Sequence, residues 1–188
     1  MTIVVGGRRE RLIIEAFIDL VEDGLAALGW LATVASRHPV TIVSQEVDAT
    51  ERVEPNLVAV FADDIQGDES ELGTNRTEER RTFWVDVYAE SAAIGEHLSG
   101  DIRDILRGKM PSLGFSRPTV PVFDASLATP SWLFDCDVED VQKERGHNPA
   151  NATQRYWWSV TAAIVDTYRD DEAEDWVDTT GGYWNGYE

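Results

Sequence analysis

Apolar residues recur at helical spacing near the start of the chain. From Arg8 onward, apolar or small residues follow one another every three to four positions, with acidic residues between them: Ile13, Phe17, Leu20, Gly24, Leu28 and Leu31. This spacing predicts a long amphipathic helix. The first turn of the helix carries arginines, although the helix dipole favours anions there. We expect these arginines either to be solvated or to face an acidic neighbouring chain.

Further apolar segments predict β-strands. The first begins at Val40, and the second, which is more buried, covers Asn56 to Asp63. Later in the chain we predict a short strand near Val120 to Ala125 and longer strands at Trp132 to Val141 and Gln154 to Tyr168. The last of these is almost continuously apolar and aromatic, which is typical of a strand that is central or covered on both faces.

The segment Asp63 to Arg81 is long and polar. Such a segment inside a compact domain is uncommon unless it acts as a lid, a binding loop or an extended hairpin arm. Acidic residues fill its first half, whereas its second half contains Arg76, Arg80 and Arg81. A segment polarised in this way can pair with itself or with a copy of itself. We interpret it as an arm that orders against another subunit, and the alternative is a mobile, solvated loop.

The strand that follows this arm has two different faces. An aliphatic set of residues alternates with an amphipathic set, namely Phe83, Val85, Val87 and Ala89 with Trp84, Asp86 and Tyr88. Because side chains alternate across a strand, the first set predicts a core face and the second a face that is covered, but not by ordinary core. Trp84 fits either a core position or a subunit contact, since aromatic residues are enriched at interfaces.

A second helix follows this strand directly. Ser91 is placed to cap it, and one apolar stripe runs along it: Ile94, Leu98, Ile102 and Ile105. Gly95 and Gly100 each weaken the helix by roughly 1 kcal/mol relative to alanine, a cost that often marks close backbone approach. Elsewhere, Trp30 and Trp132 are predicted to fill core, whereas the consecutive Trp157 and Trp158 point to opposite faces of the last strand.

The order of elements is helix, two strands, arm, strand, helix and three strands. It predicts an α+β fold in which a mixed β-sheet is packed by two main helices, with a long hairpin arm. We assign residues 1–168 to a single domain and residues 169–188 to an acidic C-terminal tail that cannot fold alone. The aromatic residues of this tail are candidates for docking on a partner: Trp176, Tyr183, Trp184 and Tyr187.

Composition narrows the possible functions. The 188 residues include 35 acidic and 16 basic ones, which gives a formal charge of −19. Such a surface repels phosphates and anionic lipid headgroups, so binding to DNA through phosphate neutralisation is disfavoured. The single cysteine excludes an internal disulfide, and no segment has the run of about 18 apolar residues that a membrane span needs.

Candidate catalytic and metal-binding residues are sparse. His97 and Asp101 are four residues apart on the second helix, but no third ligand stands at suitable spacing. Cys136 lies between Asp135 and Asp137, whose charges would raise the pKa of its thiol, so we expect a buried structural cysteine. No phosphate-binding glycine loop or nucleophile motif occurs. The sequence therefore predicts no catalytic activity, no cofactor and no metal.

One run of sequence resembles a known family. The stretch TFWVDVYAESAAIGEHLSGDIRDILRG, together with the arm before it and the proline-containing connector and strands after it, looks like the tail terminator proteins of long-tailed (siphovirus-type) bacteriophages, notably those that infect actinobacteria. The likeness covers about Asn56 to Tyr168. It rests on an order of elements and one stretch of sequence rather than on a catalytic motif.

The resemblance implies a structural role in the virion, at the junction of tail and neck, for a protein made in the host cytoplasm. Members form a ring, commonly a hexamer, on the last ring of the tail tube, stop its polymerisation and offer the surface to which the neck of the DNA-filled head attaches. The implied partners are copies of the chain, the tail tube protein and neck or head-completion proteins, with DNA passing through the ring without specific binding and no membrane involved. By this reading an inter-subunit surface contains Arg76, Glu78, Arg80, Arg81 and Trp84. The alternative is a head-completion or stopper protein of the neck.

Overall fold

The computed structural model describes residues 6–31, 39–44, 56–62, 66–68, 76–124, 130–146 and 156–169. These residues form two α-helices and seven β-strands, in the order α1 (Gly6–Ala27), β1 (Thr41–Val43), β2 (Leu57–Ala62), β3 (Gln66–Asp68), β4 (Arg76–Tyr88), α2 (Ala92–Leu106), β5 (Thr119–Asp124), β6 (Ser131–Arg145) and β7 (Trp157–Arg169). A short 3₁₀ turn at Pro111–Leu113 lies between α2 and β5.

All seven strands belong to one mixed sheet. Along the sheet the strands follow the order β1, β2, β4, β7, β6 and β5, and β3 pairs with the first part of β4. The β1 strand runs parallel to β2, whereas every other pair is antiparallel. The α+β fold expected from the sequence is therefore confirmed, and β7 is central, as its apolar composition predicts.

Both helices pack on the same face of the sheet. On this helix-covered face, the β4 side chains of Phe83, Val85 and Val87 are fully buried. Phe17 of α1 packs against Phe83 with ring centroids 4.2 Å apart. Trp158 of β7 lies on the same face beneath α2, because its register partner in β4 is Val87. The aliphatic half of the β4 alternation is thus the core face.

The predicted arm is a hairpin extension of the sheet. Residues Gln66–Asp68 pair antiparallel with Arg80, Glu79 and Glu78, so β3 continues the line of β2 along β4. The same part of β4 pairs on its other side with the end of β7. The polarised segment therefore pairs its backbone with itself at these positions, and its residues 63–65 and 69–75 lie outside the described part of the chain.

The first helix is shorter than its apolar spacing suggests. It ends at Ala27, and the core-facing positions are Ile13, Phe17, Val21 and Leu25. Gly29 then adopts a φ of 78°, which turns the chain so that Leu31 bridges to Val40 as the start of the sheet. A glycine reaches this backbone conformation at little cost, so it ends the helical path before Leu31.

The expectation for Arg9 was wrong, because this side chain is neither solvated nor directed at another chain. Its Nη2 donates to Oδ1 of Asp166 at 2.7 Å, and its guanidinium lies 3.7 Å from the ring centroid of Phe134. Burial alone would lower the pKa of Arg9, but the bidentate pair with Asp166 outweighs it and raises the pKa. Arg11, two residues further along α1 and on a solvated side of the helix, is exposed and pairs with Glu15.

The two glycines of α2 play different roles. A Cβ atom added to Gly95 would lie 1.9 Å from the Trp158 ring, so the indole packs directly on the helix backbone there. The Trp158 Nε1 also donates to Glu96 at 3.0 Å, which fixes the ring across the helix. At Gly100 no atom lies within 4 Å of an added Cβ, so the close approach expected at this glycine is absent. Only Gly95 is required for packing.

Alanine substitutions at the two glycines should therefore change the free energy of unfolding in opposite directions. We expect Gly95→Ala to lower the free energy of unfolding, because overpacking costs about 1–3 kcal/mol and the helix propensity gain offsets only about 1 kcal/mol of it. We expect Gly100→Ala to raise it by about 0.5–1 kcal/mol. Urea unfolding followed by circular dichroism measures both, and equal shifts for the two variants would contradict this account.

Replacing the arginines of α1 provides a second matched pair. We expect Arg9→Ala to lower the free energy of unfolding by about 3–5 kcal/mol, because it leaves the Asp166 carboxylate buried without its partner. Arg11→Ala removes an exposed ion pair and should leave stability unchanged within error. The same unfolding measurement applies, and a stable Arg9→Ala protein would show that Asp166 finds other compensation.

Candidate inter-subunit surface

Strand β4 distributes the candidate interface residues over both faces of the sheet. Glu78, Arg80 and Trp84 point away from the helices, whereas Arg81 points toward them, as the strand alternation requires. For Arg76 the structure describes only the backbone, which pairs with Arg169 of β7. The candidate residues therefore do not form one continuous surface.

Arg81 is committed to contacts within its own chain. Only 6% of the residue is exposed, and its Nη1 donates to Oε1 of Glu10 on α1 at 2.7 Å. Together with the pair between Arg9 and Asp166, this contact fastens the first turns of α1 to the sheet. A substitution at Arg81 would thus disturb the fold as well as any interface.

Arg80 lies on the opposite face and is partly exposed. Its Nη1 donates to Oε2 of Glu139 at 3.0 Å, and its Nη2 donates to Asp140. Both acceptors lie where the register between β6 and β7 shifts, and Asp140 has a φ of 48°. This irregularity in β6 brings two carboxylates to one guanidinium, while Glu78 is exposed beside it on β4.

The face of the sheet that points away from both helices, here called the second face, carries two pairs of stacked aromatic rings. Trp84 stacks on Phe61 with centroids 6.4 Å apart and planes within 5°, and Tyr88 stacks on Trp157 at 6.2 Å and 7°. Asp86 lies between these pairs on β4, with Oδ2 3.5 Å from the Tyr88 hydroxyl. Aromatic rings and a buried carboxylate make this face amphipathic, as the alternation predicts.

The geometry gives no support to metal binding at His97. Its Nε2 lies 3.7 Å from Oδ2 of Asp101, and that oxygen already accepts a hydrogen bond from Nε1 of Trp30 at 2.8 Å. Across the described residues, no group of three or more histidine, cysteine or acidic side chains is arranged to hold a metal ion. Asp101 instead anchors Trp30, which packs against the core as predicted.

Cys136 is a buried cysteine, as predicted. Its side chain lies on the helix-covered face and is fully buried. Burial raises the pKa of the thiol well above its ordinary value, and the negative charge of Asp166 raises it further, with smaller effects from Asp135 and Asp137. The nearby Arg9 opposes these effects without cancelling them. A thiol held protonated in this way is a poor nucleophile.

The prediction that Trp132 fills core was wrong. The residue is 58% exposed, and its indole Nε1 donates to Oδ1 of Asp135 three residues along the same strand. Trp132 stands at the start of β6, opposite Phe123, where the register between β5 and β6 shifts. Trp132 alternates with Phe134 and Cys136, and this spacing suggests a core position. The end of a strand, however, can extend beyond the helices that cover the remainder of the strand. The sequence alone does not reveal that limit.

No protein-family model matches this chain, and a search of curated proteins found no match. Within the described segments, neither helix combines the length and apolar composition needed to cross a membrane. The candidate docking aromatics of the tail, Trp176, Tyr183, Trp184 and Tyr187, lie outside the described residues. The functional argument therefore rests on the geometry of the sheet, the arm and the charges.

The burial of Cys136 leads to a direct chemical test. We expect the native protein to resist alkylation by iodoacetamide at pH 8, because the thiol is buried and its raised pKa leaves little thiolate. Unfolding in guanidinium should make the single cysteine react as rapidly as a free thiol. Mass spectrometry of the alkylated protein distinguishes the two states, and rapid native alkylation would contradict this picture.

Proposed function

We propose that this chain is a bacteriophage tail terminator, a structural virion protein that caps the tail tube and presents the surface to which the head attaches. The main support is the run Thr82–Gly108, which carries the family resemblance. In the structure it forms one continuous unit of β4 and α2, built onto a hairpin arm. Ser91 caps α2 by accepting from the N–H of Ile94 at 3.3 Å, and only residues 89–91 connect the strand to the helix.

The shape of the subunit suits a ring. In a cyclic assembly every subunit offers one patch to the next copy and a different patch to the previous one. The sheet ends at two distinct edge strands, β1 and β5, and the hairpin of β3 and β4 adds a third feature to one side. Exposed strand edges and hairpin arms are surfaces that another copy can engage.

The charge of the chain agrees with a bore that DNA crosses without adhering. A hexamer would carry six times −19, or −114 formal charges. Three arginines that could otherwise bind phosphate are held by carboxylates within the same chain, since Arg9 pairs with Asp166, Arg80 with Glu139 and Arg81 with Glu10. Repulsion between an acidic wall and the phosphates opposes adhesion, so DNA can slide.

We propose a structural rather than a catalytic role at the junction of tail and neck. The thiol of Cys136 is buried beneath α1, and His97 projects into solvent with 72% of its side chain exposed. An assembly function relies on extended surfaces instead of a concave reactive site. The partly exposed ring stack of Phe61 and Trp84 on the second face and the exposed charges of Glu78 and Arg80 contribute to a surface of this kind.

The test is to mix purified protein with assembled tail tubes and to follow both mass and tube growth. We expect a monomer or a hexamer by light scattering, and in negative-stain images a ring at one end of each tube, with further polymerisation of tube protein halted. A protein that ignores tubes and binds the head portal would favour the neck stopper alternative. A protein that ignores both would overturn the proposal.

Two charge reversals make the same experiment specific to the arm. Arg80→Glu places a negative charge beside Glu139 and Asp140 on the second face, so we expect it to weaken ring formation and capping while the fold is retained. Lys109→Glu makes the same change in charge beyond the end of α2 at an exposed position and is the control. If both variants cap tubes equally well, the surface around Arg80 is not part of the contact between subunits of the ring.

A further inference from the structure

A groove runs between α1 and the edge strand β5. Its volume is about 560 Å³, which is within the range typical of ligand sites in proteins. One wall is the side of α1 that does not face the core, and the other is formed by β5 and the chain just before it. The apolar residues that line it include Leu12, Ala16, Leu20, Leu113, Phe115 and Phe123.

The most exposed large hydrophobic side chains of the described residues gather at this groove. They are Leu113, Phe123 and Trp132, which are 38%, 44% and 58% exposed. Leu113 and Phe123 line the groove, and Trp132 is the cross-strand partner of Phe123. Single exposed apolar residues are ordinary, but a contiguous set marks a surface that another molecule covers.

The rim of the groove on α1 is acidic. Glu15, Asp19 and Asp23 stand at intervals of four residues along the helix, so their carboxylates share one side. Arg11 pairs with Glu15, and Arg117 lies on the far wall. Burial raises the pKa of Asp19, and the charges of Asp23, Glu22 and Glu15 raise it further. The carboxylates of the rim therefore repel one another, and a cation that binds beside them would reduce this repulsion.

The backbone of β5 restricts how an occupant can bind. This strand is at the edge of the sheet, but Pro121 has no N–H to donate and interrupts any further ladder of hydrogen bonds. An occupant is thus held chiefly by apolar side chains in the groove and by a positive charge at the rim. The matching chemistry is a short aliphatic segment that carries arginine and no acidic residue.

We propose that this groove binds residues 1–8 of a second copy of the chain. This segment reads MTIVVGGR, with Ile3, Val4 and Val5 as the aliphatic part and Arg8 as the cation. It contains no acidic residue, although acidic residues outnumber basic ones by 35 to 16 in the whole chain. The contact joins two different surfaces of two copies, so it is head to tail and can propagate around a ring. It does not depend on the tail terminator role, since such a contact would serve any cyclic assembly.

A peptide titration tests the contact directly. An acetylated peptide with the sequence of residues 1–8 and a fluorescent label at its carboxyl end is titrated with full-length protein and followed by anisotropy. We expect saturable binding that weakens as salt is added, because part of the attraction is between exposed charges. A control peptide with Ile3, Val4 and Val5 replaced by serine should not bind.

Matched variants of the protein locate the binding site. We expect Asp19→Lys with Asp23→Lys to weaken peptide binding about tenfold or more, since it replaces attraction at the rim by repulsion. The control is Glu90→Lys with Glu144→Lys, which makes the same total change in charge at exposed positions that do not line the groove. Phe123→Ser should also weaken binding, and it leaves the rim charges intact. Near-ultraviolet circular dichroism verifies the fold of each variant.

Sedimentation of the full-length protein completes the test. We expect mass to rise with concentration, and the rise to be lost in the Asp19→Lys, Asp23→Lys variant but kept in its control. Absence of saturable peptide binding, equal binding by both charge variants, or a mass that stays that of the monomer at every concentration would each overturn the proposal. If peptide binding fails but the wild-type protein caps tail tubes, this contact is refuted while the tail terminator proposal stands. If peptide binding holds but the wild-type protein does not engage tubes, the contact stands and the tail terminator proposal is refuted.

Discussion

The long antiparallel ladder between β4 and β7 determines where the other parts of the molecule lie. Thirteen residues of each strand pair in unbroken register, with Thr82 opposite Ala163 at the centre. Because side chains alternate, this register places Phe83 and Trp158 beneath the helices and Trp84 and Trp157 on the second face. A slip of one residue would exchange the faces and bury the polar set, so the hydrophobic pattern fixes the register strongly.

The ladder also explains how so acidic a chain forms a compact domain. At the end of β7, Asp166 is buried with 4% of its side chain exposed, and it is opposite Glu79 in β4. A buried carboxylate is unfavourable unless it is paired, and the first helix brings Arg9 to it. Two residues further along β4, on the same face of the sheet, Arg81 pairs with Glu10 of that helix. The arginines at the start of α1 therefore fasten it to the sheet, and this outweighs their unfavourable position in the helix dipole.

The alternation of β4, the cap at Ser91 and the order of elements were predictable because they depend on neighbours in sequence. The errors concern contacts between distant residues. Arg9 pairs with a residue 157 positions away, and Gly95 and Gly100 differ only in whether Trp158 lies above them. Trp132 has the spacing of a core residue but stands at a strand end where the register shifts. The sequence analysis grouped Arg80 with Arg81 in one surface, although strand alternation places them on opposite faces, and only the structure identified their partners.

The location of the exposed residues has a consequence for assembly. The partly exposed residues of the second face, such as Arg80 and Trp84, lie on the side of the sheet opposite the helices, whereas the groove with Phe123 lies beside α1 at the β5 edge. Two-fold dimers use one patch twice, but a ring needs two patches that differ and that do not overlap. This subunit has an apolar groove with an acidic rim at one edge, and an aromatic, charged surface on the second face of the sheet. These two surfaces differ and do not overlap, as a ring requires. Because both surfaces belong to one folded sheet and its helices, the fold sets the angle between them. In a cyclic assembly such an angle decides whether copies close into a ring or continue as a filament.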